Sequence, residues 1–212
     1  MQDIYIVFLA SGYKAGQLIR FFTRGTYNHV ALSLTESPEV MYSFARKNYF
    51  EPMNGGFVEE TPRRYFFSGR DAQVKICRLQ VSQAQYQRIL MALEQFRSQA
   101  EQTRYDFLSL MLYPLRRQLH LPNSFTCISF VLSLLEQPDF ISIGQLEQRL
   151  SPETVYCGSL RRCTRTRPVK NDPYFSRQHS TLQIWLGAGS ALGGLLFSVG
   201  RGFGRWLRQR CS

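Results

Sequence analysis

The chain has 212 residues and a formal net charge of +11, from 26 Lys+Arg against 15 Asp+Glu. Its 44% hydrophobic and 14% aromatic content is enough to bury a core, which excludes a disordered chain, and the length suits one domain with an appendage. The charge is unevenly placed: residues 1–160 hold 16 basic and 14 acidic side chains, whereas residues 161–212 hold 10 basic side chains and one acid, Asp172. A near-neutral body with a basic end is not the pattern of a basic nucleic-acid-binding domain, so nucleic acid is not the expected partner.

Ile4–Leu9 is a continuous β-branched and aromatic run that ends at Ser11-Gly12, and it predicts a buried strand. Leu18, Ile19 and Phe22 at helical spacing predict a short helix over Gly16–Thr23, closed by Gly25. HVALSL (His29–Leu34) and VMYSF (Val40–Phe44) predict two strands joined by the polar turn Thr35–Glu39. VKICRL (Val74–Leu79) alternates apolar and basic residues as a half-solvated strand does. Ser82 followed by Gln85 has the spacing of a capping box, opening a helix to about Gln99 with Ile89, Leu90, Leu93 and Phe96 as its apolar stripe. Tyr105–Leu112 reads as helical, and Leu121-Pro122-Asn123 breaks the chain ahead of a strongly apolar helix over Thr126–Leu135. A short helix is expected over Ile143–Leu150. Strands first, with helices interspersed, predict an α+β domain over residues 1–160.

From Arg161 the composition changes. Residues 161–180, with Pro168 and Pro173, read as a basic linker, and residues 181–212 as a membrane-associating tail. Thr181–Gly200 contains no charged residue and is just long enough for a transmembrane helix, with small residues spaced for helix packing. The same stretch also reads as an amphipathic helix. Leu182, Trp185, Leu186, Leu192 and Leu196 lie on one side, Gln183, Ser190 and Ser198 on the other, and Arg201, Arg205, Arg208 and Arg210 supply a basic end for anionic lipid. Packing of this helix on protein is the plainer alternative.

Five cysteines without a CxxC pair, and three histidines, supply neither a disulfide framework nor a zinc-ligand pattern, so no metal is expected. No phosphate-binding glycine loop is present, so no nucleotide cofactor is expected either. The N-terminal MQDIYIVFLASGYK lacks the basic start of a signal peptide, which favours a cytoplasmic protein with free thiols, peripheral to or anchored at a membrane by its tail.

Two residues stand out for chemistry. Cys127 falls in the first turn of an apolar helix, where unpaired backbone N–H groups and the helix dipole favour thiolate character. His29 opens an otherwise apolar strand. Each taken alone is as well explained as a core cysteine or a structural histidine. His120 and His179 are weaker candidates for a base. The aromatic stretch Tyr42–Phe67, around Asn54-Gly55-Gly56, reads mainly as packing, with a substrate-binding loop as the alternative.

Taken together, these pieces resemble a family. IYIVFL, NHVALSL, VMYSFAR, the Tyr105-Asp106 pair and FTCISFVLSLL are similar, in that order, to the circularly permuted papain-like cysteine hydrolases. These are NlpC-type domains of the YiiX and lecithin:retinol acyltransferase kind. The segment MYSFARKNYFEPMNGGFVEE also resembles a bacterial subgroup with an SFGR…NPF…GGFV pattern. Ile128 and Ser129 follow Cys127 where the family often has Ser-Glu.

The resemblance implies a permuted papain-like fold with Cys127 as nucleophile and His29 as base. The third polar position falls near Ser43, with Glu59, Glu60 or a backbone carbonyl as other supports for the imidazole. It further implies hydrolysis or acyl transfer at an amide or ester, in a peptide or a lipid acyl group, through a thioester. Two other readings remain open. One is an inactive papain-like module that binds a peptide or partner, prompted by the absence of a carboxylate near Ser43. The other is a membrane-active protein driven by its tail.

Overall fold

A computed structural model of the chain describes residues 1–10, 26–51, 54–66, 71–106, 123–137, 141–167 and 172–176. The architecture is mixed α+β around one antiparallel sheet. Strands β1 (Gln2–Ala10), β2 (His29–Ser33), β3 (Met41–Arg46), β4 (Gly55–Glu60), β5 (Gln73–Val81) and β8 (Thr154–Ser159) form it in the order β4-β3-β2-β1-β5-β8. Every neighbouring pair is antiparallel. A two-stranded parallel pair, β6 (Arg104–Tyr105) with β7 (Ser124–Phe125), stands apart. The described helices are α1 (Gln83–Ser98), α2 (Cys127–Leu134), α3 (Ile143–Arg149) and the short α4 (Leu160–Cys163).

Side chains of a strand alternate between the two faces of its sheet, and β1 uses both for burial. Ile4, Ile6 and Phe8 enter a core with α1, α2 and α3, while Tyr5, Val7 and Leu9 enter a second core with Met41, Tyr65, Phe66 and Leu160. That two-sided burial is why β1 reads as an unbroken apolar run. In the first core, Phe44 lies 5.1 Å from both Phe125 and Phe130, and Phe96 lies 5.3 Å from Phe130. These rings join β3, α1, β7 and α2, and so fix α2 against the sheet. The aromatic stretch therefore divides: Phe44 and Phe57 are core, Tyr65 and Phe66 fill the opposite face, and Phe67 lies outside the described residues.

Four strands are not expected from the sequence, β4, β6, β7 and β8, and Tyr105 lies in β6 rather than in a helix. The expected helices over Gly16–Thr23 and over most of Tyr105–Leu112 fall outside the described residues, as does the whole of the expected tail 181–212. The described parts of residues 161–176 make hydrogen bonds to the domain. The Glu39 carboxylate accepts N–H and O–H bonds from Arg165 and Thr166, and Asn48 Nδ2 donates to the Ser176 carbonyl at 2.8 Å. Among the described residues, no helix is long and apolar enough to cross a membrane.

Candidate active site

Cys127 is the first residue of α2. Thr126 caps the helix: its hydroxyl accepts the Ser129 N–H at 3.2 Å, while Ser129 Oγ accepts the Thr126 N–H at 2.9 Å, a closed capping box. Ser129, which stands where the resembling family often has Glu, thus holds the turn that carries the cysteine. The buried Cys127 sulfur lies close enough to the His29 ring and to the Tyr105 hydroxyl to interact electrostatically with both.

His29 opens β2, opposite Leu9 of β1. Its Nε2 lies 2.6 Å from Glu60 Oε1, with side-chain exposures of only 14% and 3% for the two groups. Glu60 occupies Nε2, so Nδ1 is the ring nitrogen left for the sulfur. Burial alone would lower the imidazole. The Glu60 carboxylate and the Cys127 sulfur outweigh it and push the histidine up to about 10, so the ring is an imidazolium.

Glu60 ends β4, and its two oxygens are shared out. Oε1 takes His29 and the Ser43 hydroxyl; Oε2 takes the Tyr65 hydroxyl at 2.6 Å, with Arg64 Nη1 at 4.0 Å. Burial would raise this carboxyl, but His29, Arg64 and Ser43 hold it down at about 2. Tyr65 is pushed well above its ordinary value by burial and by Glu60, so it remains a neutral donor. Of the residues singled out in the sequence, Cys127, His29 and Ser43 therefore converge, while His120 and His179 lie outside the described residues. Ser43 does not support the imidazole itself. It donates to the carboxylate that does, because Ser43 faces Val58 and Glu60 faces Met41 across β3–β4, which makes them diagonal neighbours on one face.

Tyr105 reaches the sulfur through two backbone devices. The segments after α1 and before α2 pair, with Arg104 N–H donating to the Asn123 carbonyl and Asp106 N–H to the Phe125 carbonyl, each at 3.0 Å. That strip then closes on β4 where glycine leaves room. A Cβ at Gly55 would lie 2.7 Å from Tyr105 Cβ, and one at Gly56 would lie 2.8 Å from the Thr103 carbonyl. Burial and the neighbouring sulfur raise Tyr105 well above its ordinary value, which keeps its hydroxyl protonated.

Among the described residues, no group of three His, Cys, Asp or Glu side chains could hold a metal ion, and Cys77, Cys127, Cys157 and Cys163 are free thiols. The constellation is a thiol against an imidazolium, backed by a buried carboxylate. Such a set can generate a nucleophile and then return a proton to a leaving group. No family model, no curated protein and no solved structure matches the chain.

Proposed function

We propose that this protein is a thiol-dependent hydrolase or acyltransferase with a permuted papain-like domain, acting on an amide or ester bond. One observation carries the reading: the cysteine at the start of α2 sits within interaction range of His29, whose Nε2 is held by Glu60 at 2.6 Å. The Cys127 sulfur, as the thiolate opposite the His29 imidazolium, attacks the acyl carbonyl, and the tetrahedral oxyanion meets the Cys127 and Ile128 backbone N–H groups at the start of α2. The C–N or C–O bond breaks, the His29 proton passes to the departing amine or alcohol, and a thioester remains on Cys127. Water or an acceptor alcohol or amine then gives up a proton to His29 and attacks the thioester, which releases the acyl product and restores the thiolate beside the imidazolium. Glu60 holds the ring in register throughout and balances its charge, and Tyr105 donates to the charge on sulfur.

The idle binding module was motivated by the lack of a carboxylate near Ser43, and Glu60 removes that motive. The basic, apolar tail of residues 181–212 supports a further part of the proposal, tethering at an anionic membrane where a lipid acyl group or a tethered peptide is the substrate. The test of the chemistry is p-nitrophenyl acetate. The full chain is expected to release a burst of p-nitrophenolate and to carry a hydroxylamine-sensitive acetyl group on Cys127, with turnover slowed in His29→Ala. A burst that persists undiminished in Cys127→Ala would sink the reading.

A further inference from the structure

Several cations around this site are matched with carboxylates. Arg64 approaches Glu60, Lys47 pairs with Glu101 at 3.0 Å and Arg97 pairs with Glu59. Arg46, half-buried at the end of β3, has no carboxylate within ion-pair reach among the described residues. Its Cζ stands 5.6 Å from the centroid of the Tyr49 ring, and its one hydrogen bond, from Nη1 to the Tyr49 carbonyl, is long at 3.4 Å. A fork of five donors is thus held in place by stacking but left largely unused.

Position makes this cation relevant. Arg46 lies opposite Gly55 in the β3–β4 register, and Gly55 is the residue whose missing side chain admits Tyr105. Tyr105 in turn is close enough to the Cys127 sulfur for the sulfur to raise it. The chain of neighbours Arg46, Gly55, Tyr105, Cys127 crosses β3, β4 and β6 to the start of α2. The Arg46 charge is felt at the Tyr105 hydroxyl, where Asp106 pushes the other way, and also at Tyr174. Tyr174 is itself covered by the Arg64 guanidinium at 4.4 Å, so tyrosine rings and two guanidinium groups share this side of the site.

We propose that Arg46 is the specificity residue of the Cys127 site, an anion subsite that receives a carboxylate carried by the acyl substrate a few atoms from its scissile carbonyl. The planar guanidinium matches a carboxylate in two parallel N–H···O bonds, and its stacking on Tyr49 fixes that plane before substrate arrives. Arg64 is less available, since its guanidinium covers the Tyr174 ring and its Nη1 donates to the Arg46 carbonyl at 3.1 Å. The inference rests on Cys127 being the nucleophile, and the test separates the two.

Iodoacetate and iodoacetamide alkylate a thiol by the same displacement, in which sulfur bonds to carbon and iodide leaves. They differ by one carboxylate. On the full chain, the rate ratio of iodoacetate to iodoacetamide at Cys127, each corrected by its rate with glutathione, is expected to be roughly tenfold in favour of iodoacetate. Arg46→Gln is expected to remove most of that preference, and Arg46→Lys to keep it. Arg46→Met replaces the glutamine variant if circular dichroism finds the latter unfolded. The same ratio in the neutral and lysine variants, or a wild-type ratio in Arg46→Gln, overturns the subsite. Wild-type alkylation by iodoacetamide no faster than glutathione instead overturns the Cys127–His29 reading beneath it.

Discussion

Glu60 concentrates the energetics of the site in one side chain, and its titration makes that measurable. The carboxylate is depressed from 4.5 to about 2 and His29 raised from 6.5 to about 10. These two shifts describe one ion pair and are counted once. A raised histidine contributes stability that is complete below 6.5 and is lost as pH climbs through about 10, and a depressed carboxyl contributes stability that is complete above 4.5 and is lost as pH falls through about 2. The pair is therefore at full strength between 4.5 and 6.5, and urea midpoints are expected to decline on the alkaline side of that window. Glu60→Gln strands a buried imidazolium, so it is expected to destabilise by ~3 kcal/mol near pH 6 and to flatten the alkaline decline. An unchanged midpoint profile in that variant would show that the pair does not form. Ser43 lies one bond further back, so its removal is milder. Ser43→Ala is expected to cost about 1–2 kcal/mol and to lower p-nitrophenyl acetate turnover by no more than roughly tenfold, against a hundredfold or more for Glu60→Ala. Equal losses would return Ser43 to the imidazole. The sequence singled out His29 and Cys127 because strand edges and helix starts can be read from local pattern. It could not choose among Ser43, Glu59 and Glu60. Adjacent strand residues face opposite ways, and only the register says that Glu59 meets Arg97 of α1 while Glu60 turns to His29.

Elements were legible in proportion to how locally their reasons are written. β1, β2, β5 and α1 carry their burial pattern in consecutive residues, and Ser82 does cap α1, accepting the Gln85 N–H at 3.1 Å. β4 was hidden because Gly55-Gly56 weaken strand propensity and Glu59-Glu60 look solvated, yet both features have tertiary causes. The glycines admit β6, and the second acid serves the site. Residue Tyr105 misled for the same reason: YDFLSLMLY has an apolar helix pattern, but Tyr105 is held by its ladder to β7. Substitution at Gly56 tests this close approach. A methyl there meets the Thr103 backbone carbonyl at 2.8 Å, which cannot rotate away as a side chain can. Gly56→Ala is accordingly expected to cost about 1–3 kcal/mol in chemical denaturation, and a neutral result would mean that β6 is not seated on β4. Thr126→Ala removes one half of the α2 capping box and is expected to cost about 1 kcal/mol, read as a lower thermal midpoint, while loosening the turn that carries Cys127.

At the scale of the molecule, the docked segment changes where the net charge sits. Residues 161–176 hold five basic side chains and one acid, and residues 177–212 hold five arginines and no acid, so the +9 of the C-terminal region divides as +4 and +5. Arg161 and Arg165 of the first share belong to the folded body, because the Arg165 N–H donates to the Glu39 carboxylate and Arg161 lies 5.1 Å over the Phe66 ring. Of the second share, four charges fall at Arg201, Arg205, Arg208 and Arg210 beside an uncharged stretch of twenty residues. An arginine near an anionic bilayer surface contributes about 1 kcal/mol, so four of them carry most of any electrostatic attachment. The full chain is therefore expected to sediment with vesicles of phosphatidylserine and phosphatidylcholine and much less with phosphatidylcholine alone. Replacing all four arginines by glutamine is expected to weaken that binding by at least a hundredfold, and raising the salt to 0.5 M to have a smaller effect in the same direction. Equal sedimentation with neutral and anionic vesicles would assign attachment to the apolar stretch, and no sedimentation with either would remove the membrane from the proposal while leaving the Cys127 chemistry intact.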